Sequence, residues 1–127
     1  MIKKILLTLT SFLIISTANA DEYMSAGEIT ALFTDHSWDV HNVLKEKDVE
    51  GYATADGVHN IYIPWKNKVS KRKWWVEGNR HCTSHPVRGD NCKYMKNMGN
   101  GVYHGFSNNV HTHTLKNFRK GPRSWLN

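Results

Sequence analysis

Cys82 and Cys92 are the only cysteines of the chain, and their spacing limits the chemistry they can perform. Nine residues separate them, and histidine and basic residues lie nearby, which suggests a metal site, a reactive thiol pair or a disulfide bond. Zinc sites need a C-x₂₋₄-C spacing or a second ligand pair, and redox-active thiols prefer C-x-x-C. Because neither spacing occurs and Pro86 and Gly89 favour a turn between the cysteines, we expect a structural disulfide across a hairpin.

The histidines suggest a second kind of chemistry. His111 and His113 form an H-x-H pattern in a segment that we predict to be a strand, where residues i and i+2 point to one face about 7 Å apart. His104 lies across a predicted turn and is the candidate third ligand. Imidazoles in this arrangement bind zinc or copper. The alternative is that the pattern lies on the solvent-exposed face of the last strand, and the sequence leaves both interpretations open.

A basic run, Lys66–Lys73, carries five positive residues in eight and is followed by two tryptophans. Adjacent strand residues face opposite ways, so we expect Trp74 in the core and Trp75 exposed. The candidate ligand-binding residues are Lys71, Arg72, Lys73 and Trp75. They would contact an anionic envelope component, such as a phosphate, a lipid or a glycan. The alternative is a solvated basic connection without a partner.

Signatures of catalysis are missing from the sequence. It contains no G-x-S-x-G, no H-E-x-x-H and no P-loop, so we expect no enzymatic activity and no cofactor. The full chain has 17 Lys and Arg against 11 Asp and Glu, a net charge of +6. This charge suits contact with anionic surfaces but is below that of a dedicated nucleic-acid binder, so no nucleic acid partner is expected.

The first 20 residues, MIKKILLTLTSFLIISTANA, have the pattern of a secretory signal peptide. Lys3 and Lys4 form a short positive region, an apolar run follows, and an A-x-A site predicts cleavage after Ala20. The apolar run is shorter than the roughly 20 residues that span a bilayer, so we expect no transmembrane segment. Residues 21–127 are predicted to form one domain with a net charge of +4, monomeric, and periplasmic or secreted.

Hydrophobic patterns predict the elements that must position these residues. Ser25 and Glu28 form an S-x-x-E capping box before an apolar i, i+3, i+4 pattern, which predicts a helix over residues 26–34. Six or seven short alternating segments follow, separated by turn signals such as Asp56-Gly57. The predicted fold is therefore mainly β with one N-terminal helix, a small antiparallel meander or partial barrel with the helix covering one end.

The order of these motifs, from the capping box to WWVEGNRHC, C-x-Y, GNGVYHG and THTLKNFRKGP, covers most of residues 25–122. It resembles a family of small exported bacterial proteins that is classed as a domain of unknown function and has a lipocalin-like mini-barrel. Six residues sit where that pattern expects them: Trp74, Val76, Cys82, Cys92, Gly101 and Gly121. Arg72 and His81 stand where the pattern has Gly and Leu. The resemblance implies a fold and a compartment but no chemistry.

These observations together predict an exported envelope-accessory or binding protein of unknown specificity. Its partner would be a small ligand in the mouth of the barrel or an anionic envelope component. Two alternatives remain, a periplasmic zinc- or copper-binding protein and an inhibitor of an envelope hydrolase. The positive charge of the chain is a poor electrostatic match for hydrolases that are themselves cationic.

Overall fold

The computed structural model describes residues 22–126 and shows a mainly β chain with one α-helix. Eight antiparallel strands follow the helix and close into a barrel in sequence order. The elements are α1 (Ala26–Phe33), β1 (His36–Asn42), β2 (Lys47–Ala53), β3 (Val58–Ile63), β4 (Lys68–Glu77), β5 (Arg80–Thr83), β6 (Asn91–Gly99), β7 (Val102–Ser107) and β8 (Val110–Lys120). The predicted fold class is confirmed, and the signal peptide predicted for residues 1–20 lies outside the described residues.

The barrel is complete, with more strands than the six or seven predicted. It closes because Val40 of β1 pairs with Val49 of β2 on one side and with Leu115 of β8 on the other. Closure leaves no free strand edge. The expectation that Lys66–Lys73 is a basic connection is wrong, because most of that run belongs to β4. Within this strand, Lys71 and Lys73 alternate with Arg72 and Trp74, which places the two pairs on opposite faces of the strand.

Helix α1 begins as its capping box predicts. The Ser25 hydroxyl accepts a hydrogen bond from the Glu28 backbone N–H (3.2 Å), and the Glu28 carboxylate accepts one from the Ser25 N–H (2.8 Å). Ile29 and Phe33 are fully buried, and the helix packs against β1, β4 and β5. It therefore covers the barrel end at which β1 begins. Within residues 22–126, no helix has the length and apolar character needed to cross a membrane.

The core lies directly beneath α1. Phe33 meets the Trp38 ring edge to face, with ring centroids 4.8 Å apart, and Trp38 is almost completely buried. Gly51 makes room for this indole, since a Cβ atom there would lie 2.6 Å from a Trp38 ring carbon. Aromatic packing therefore fills the end of the barrel that the helix covers.

Because consecutive strands are antiparallel, their connections lie alternately at the two ends of the barrel. The end that α1 covers, called here the helix end, carries the turns at 54–57, 78–79 and 100–101. The opposite end, called here the loop end, carries the connections at 43–46, 64–67, 84–90 and 108–109. The connection at 64–67 includes a short 3-10 helix, Pro64–Lys66.

The predicted disulfide is confirmed. Cys82 of β5 and Cys92 of β6 are directly paired across the two strands and are bonded to each other. The bridge closes the connection at 84–90, which is the longest at the loop end. A disulfide of this kind fits a protein that folds outside the reducing cytoplasm.

Candidate ligand-binding site

A small cavity of about 110 Å³ lies inside the barrel, next to the aromatic core. Apolar side chains of α1, β1, β6 and β8 form part of its wall. The rest of the wall is polar and basic, and its main members are His59, Arg72, His81, Thr83, Lys93 and His113. A single water needs roughly 10–15 Å³ of such space, so the cavity has room for several waters or one small ligand.

Strand pairing brings the polar wall together from five strands. His59 of β3 is the cross-strand partner of Arg72 of β4, and His81 of β5 is the partner of Lys93 of β6. Gly105 of β7 leaves space for the lysine stem, because a Cβ atom there would lie 3.2 Å from Lys93 Cδ. A side chain at position 105 would fill the space between β6 and β8. Glycine at this position therefore gives the Lys93 stem more room beside the cavity.

The two most buried histidines are packed among aromatic rings. The His81 ring stacks on Phe33 with centroids 4.0 Å apart, and the His59 ring lies 5.3 Å from Trp38. Both imidazoles are less than one tenth exposed. His59 Nδ1 and His81 Nε2 have no hydrogen-bond partner within residues 22–126, and neither does Arg72 Nε. Buried polar atoms are normally hydrogen-bonded, so we expect the partner of these three nitrogens to come from outside residues 22–126.

Burial and the neighbouring positive charges keep the inner histidines neutral. Burial, followed by the charges of Lys93 and Arg72, lowers the pKa of His59 to about 3. Burial also lowers the pKa of His113 to about 3 and holds the pKa of His81 well below its usual value. At neutral pH each imidazole therefore carries one N–H donor and no charge.

Two cations face the cavity with these neutral rings. Burial, and then the charge of Arg72, lowers the pKa of Lys93 to about 8, so the lysine remains mostly protonated at pH 7. Within residues 22–126, neither Lys93 nor Arg72 forms an ion pair. Glu50 also borders the cavity, but its carboxylate accepts hydrogen bonds from Arg123 and Trp125 of the C-terminal segment, each at 2.9 Å. With two cations against this one carboxylate, the lining of the cavity carries a net positive charge.

The three histidines predicted as metal ligands do not share a face of the barrel. The pairing of β7 with β8 shifts register beside Thr112, which makes this residue the extra one of a β-bulge. His111 stacks on His104 on the outer face, with ring centroids 3.8 Å apart, whereas His113 lines the cavity. The expectation that the two imidazoles of the H-x-H pattern face the same way is wrong, because the bulge breaks the alternation.

The histidines that line the cavity, His59, His81 and His113, do not form a compact set of metal ligands either. Within residues 22–126, the one group that brings three His, Cys, Asp or Glu donor atoms within 4.8 Å of one another is Glu77 with Cys82 and Cys92. Both sulfur atoms of that group belong to the disulfide bond. Two cations also face the inner histidines and would repel a metal ion. The cavity wall therefore suits an anion better than a metal.

The predicted basic and aromatic site is divided between the two faces of β4. Lys71 and Lys73 are exposed on the outer face, and Trp75 lies on the same face, half-buried rather than exposed. The Trp75 indole N–H donates a hydrogen bond to the Glu77 carboxylate (3.3 Å). Arg72 turns inward and lines the cavity. The structure thus brings three of the four candidates together and separates the fourth from them.

His59, His81 and Lys93 are not among the site residues predicted from the sequence, although signals for them exist. His59 alternates with Ile61 and Ile63, which indicates an inward side chain. His81 and Lys93 are next to the two cysteines. Once the disulfide is predicted, pairing the cysteines also pairs their neighbours on the opposite face of the hairpin.

Fold and cavity together define a class, a small closed antiparallel barrel with one disulfide and a basic interior. The sequence matches no protein-family model, and searches of the curated proteins and of the solved structures found no significant match. The function must therefore be inferred from the residues themselves.

Proposed function

We propose that this chain is an exported binding protein that holds a small anion inside its barrel. The observation that carries the proposal is the cavity wall, in which Arg72 and Lys93 face one space and, within residues 22–126, form no ion pair, while the Glu50 carboxylate is bonded to Arg123 and Trp125. Burying unpaired charge is unfavourable, and an anion would supply the missing partner.

The unpartnered nitrogens and the size of the cavity support the same ligand class. Within residues 22–126, His59 Nδ1, His81 Nε2 and Arg72 Nε lack hydrogen-bond partners, and an N–H group at any of them can donate to an oxygen of the ligand. A volume of about 110 Å³ suits a compact oxyanion such as sulfate, phosphate or a short carboxylate. Hydrogen bonds to charged groups are stronger than neutral ones, so few contacts suffice to hold such a ligand.

Export is the second part of the proposal. The signal-peptide pattern of residues 1–20, with cleavage after Ala20, supports a location of the mature chain in the periplasm or outside the cell. The disulfide between Cys82 and Cys92 supports this location, because such bonds persist in oxidising compartments.

Thermal unfolding with added anions tests the proposal. Sulfate, phosphate and acetate should raise the melting temperature, by an amount equivalent to about 1.4 kcal/mol at ten times Kd. The combined variant Arg72→Leu and Lys93→Met should lose this effect. Lys71→Met, on the outer face of the same strand as Arg72, is the matched control and should keep it.

Two outcomes would reject the proposal. An anion effect of equal size in all three proteins would mean that the ions act on the general surface. Stabilisation by Zn²⁺ or Cu²⁺ but by no anion would favour the alternative, a metal-binding protein, with the inner histidines as the first ligands to mutate.

A further inference from the structure

Exposed hydrophobic side chains concentrate at the loop end of the barrel. Within residues 22–126, five large hydrophobic side chains are exposed, and four of them lie in or next to the loop-end connections. These four are Leu44, Trp65, Val87 and Val110, with exposed fractions of 67%, 51%, 86% and 49%. Single exposed hydrophobic residues are ordinary. One at each of the four connections of the same end is a pattern that needs an explanation.

The helix end lacks this pattern. Its three turns read Thr-Ala-Asp-Gly, Gly-Asn and Asn-Gly, and none contains a large hydrophobic residue. The fifth exposed hydrophobic side chain, Met98, lies in strand β6 near that end. The apolar tips are therefore a property of one end and not of turns in general.

Cations surround the apolar tips. The four loop-end connections and the first residues of β2 and β4 together contain five cations and two carboxylates. The cations are Lys45, Lys47, Lys66, Lys68 and Arg88, and the carboxylates are Glu46 and Asp90. The Lys47 ammonium lies 4.7 Å from the centre of the Trp65 ring, so the cation that begins β2 meets an aromatic ring of the connection between β3 and β4 at this end. Apolar tips with a basic surround complement a surface that is anionic outside and apolar beneath.

We infer that the loop end docks onto an anionic lipid membrane. Leu44, Trp65, Val87 and Val110 enter the boundary between headgroups and acyl chains, and the lysines contact the lipid phosphates. Tryptophan and lysine favour this depth because each has an apolar part and a polar part. This inference does not depend on the anion in the cavity, since none of the four apolar residues lines it.

Flotation with lipid vesicles tests the inference. The full mature protein should float with vesicles of phosphatidylglycerol and phosphatidylethanolamine, and much less with phosphatidylcholine alone. A variant with Leu44→Ser, Trp65→Ser and Val87→Ser should lose binding by about 10-fold or more. Each of Lys47→Gln and Lys66→Gln should weaken binding about 5-fold, because one cation near an anionic surface contributes about 1 kcal/mol.

Met98→Ser is the control, because it removes an exposed hydrophobic side chain of the other end, and it should bind like the wild type. All substituted side chains are exposed, so unchanged melting temperatures would confirm that the variants fold. Absence of wild-type flotation, or equal flotation of the triple variant, would overturn the inference. Dimerisation that the triple variant abolishes, without lipid binding, would also overturn it and assign the loop end to a second copy of the chain.

Discussion

Replacing Lys93 with methionine should stabilise the ligand-free protein. Burial and Arg72 lower the pKa of the lysine from 10.5 to about 8. Each pH unit of that difference corresponds to about 1.4 kcal/mol, so the protonated side chain destabilises the folded state by about 3 kcal/mol at pH 7. This figure is an upper value, because Lys93 keeps partial contact with solvent. Methionine has a similar length and no charge, so Lys93→Met should raise the free energy of unfolding by about 1–3 kcal/mol.

The pH dependence separates this effect from better packing. The folded pKa of Lys93 lies below its unfolded value, so the destabilisation is complete below about pH 8 and fades as the pH rises towards 10.5. Urea unfolding in a low-salt zwitterionic buffer should therefore show a gain at pH 7 that shrinks by pH 9.5. The exposed control Lys71→Met should change stability by less than about 0.5 kcal/mol. If Lys93→Met were less stable than the wild type at pH 7, the claim that Lys93 carries an uncompensated charge in the cavity would be refuted.

Three further predictions concern stability. Replacing Cys82 and Cys92 with serine should lower the free energy of unfolding by about 3 kcal/mol in urea, since the bridge restricts the unfolded chain. Acid should destabilise the protein below about pH 6.5, because the pKa of His59 in the folded state, about 3, is below its value in the unfolded state. In acid titrations followed by fluorescence, His59→Leu should make stability depend less on pH. Gly51→Ala should lower stability by about 1–3 kcal/mol in thermal melts by crowding an indole, whereas Gly27→Ala, in open space, should not.

Local signals made the overall fold predictable. The capping box of Ser25 and Glu28 requires only neighbouring residues, and so does the Asp56-Gly57 turn between β2 and β3. The disulfide followed from an even cysteine count and a turn between the cysteines. Closure and the eighth strand lack such signals, because the run Lys66–Lys73 suggests a charged connection and only the two residues Gly78-Asn79 separate β4 from β5.

The candidate site was harder to predict, for two physical reasons. The bulge at Thr112 reverses the direction of one histidine, and nothing in the H-x-H pattern marks an extra residue. Arg72 alternates with the core residue Trp74, which places it inside, but charged side chains are so rarely buried that the run was assigned to the surface. Such an exception to the usual distribution of charge is more typical of a functional site than of a structural one.

Calorimetric titration with sulfate is the most direct test of anion binding in the barrel. Sulfate does not titrate between pH 7 and pH 9, whereas Lys93, facing Arg72 and the neutral rings of His59, His81 and His113, loses its proton near pH 8. We predict saturable binding at pH 7 and an affinity about tenfold lower at pH 9. Binding heat that is absent at pH 7, or an affinity that is equal at both pH values, would contradict an anion held by Lys93 inside the barrel.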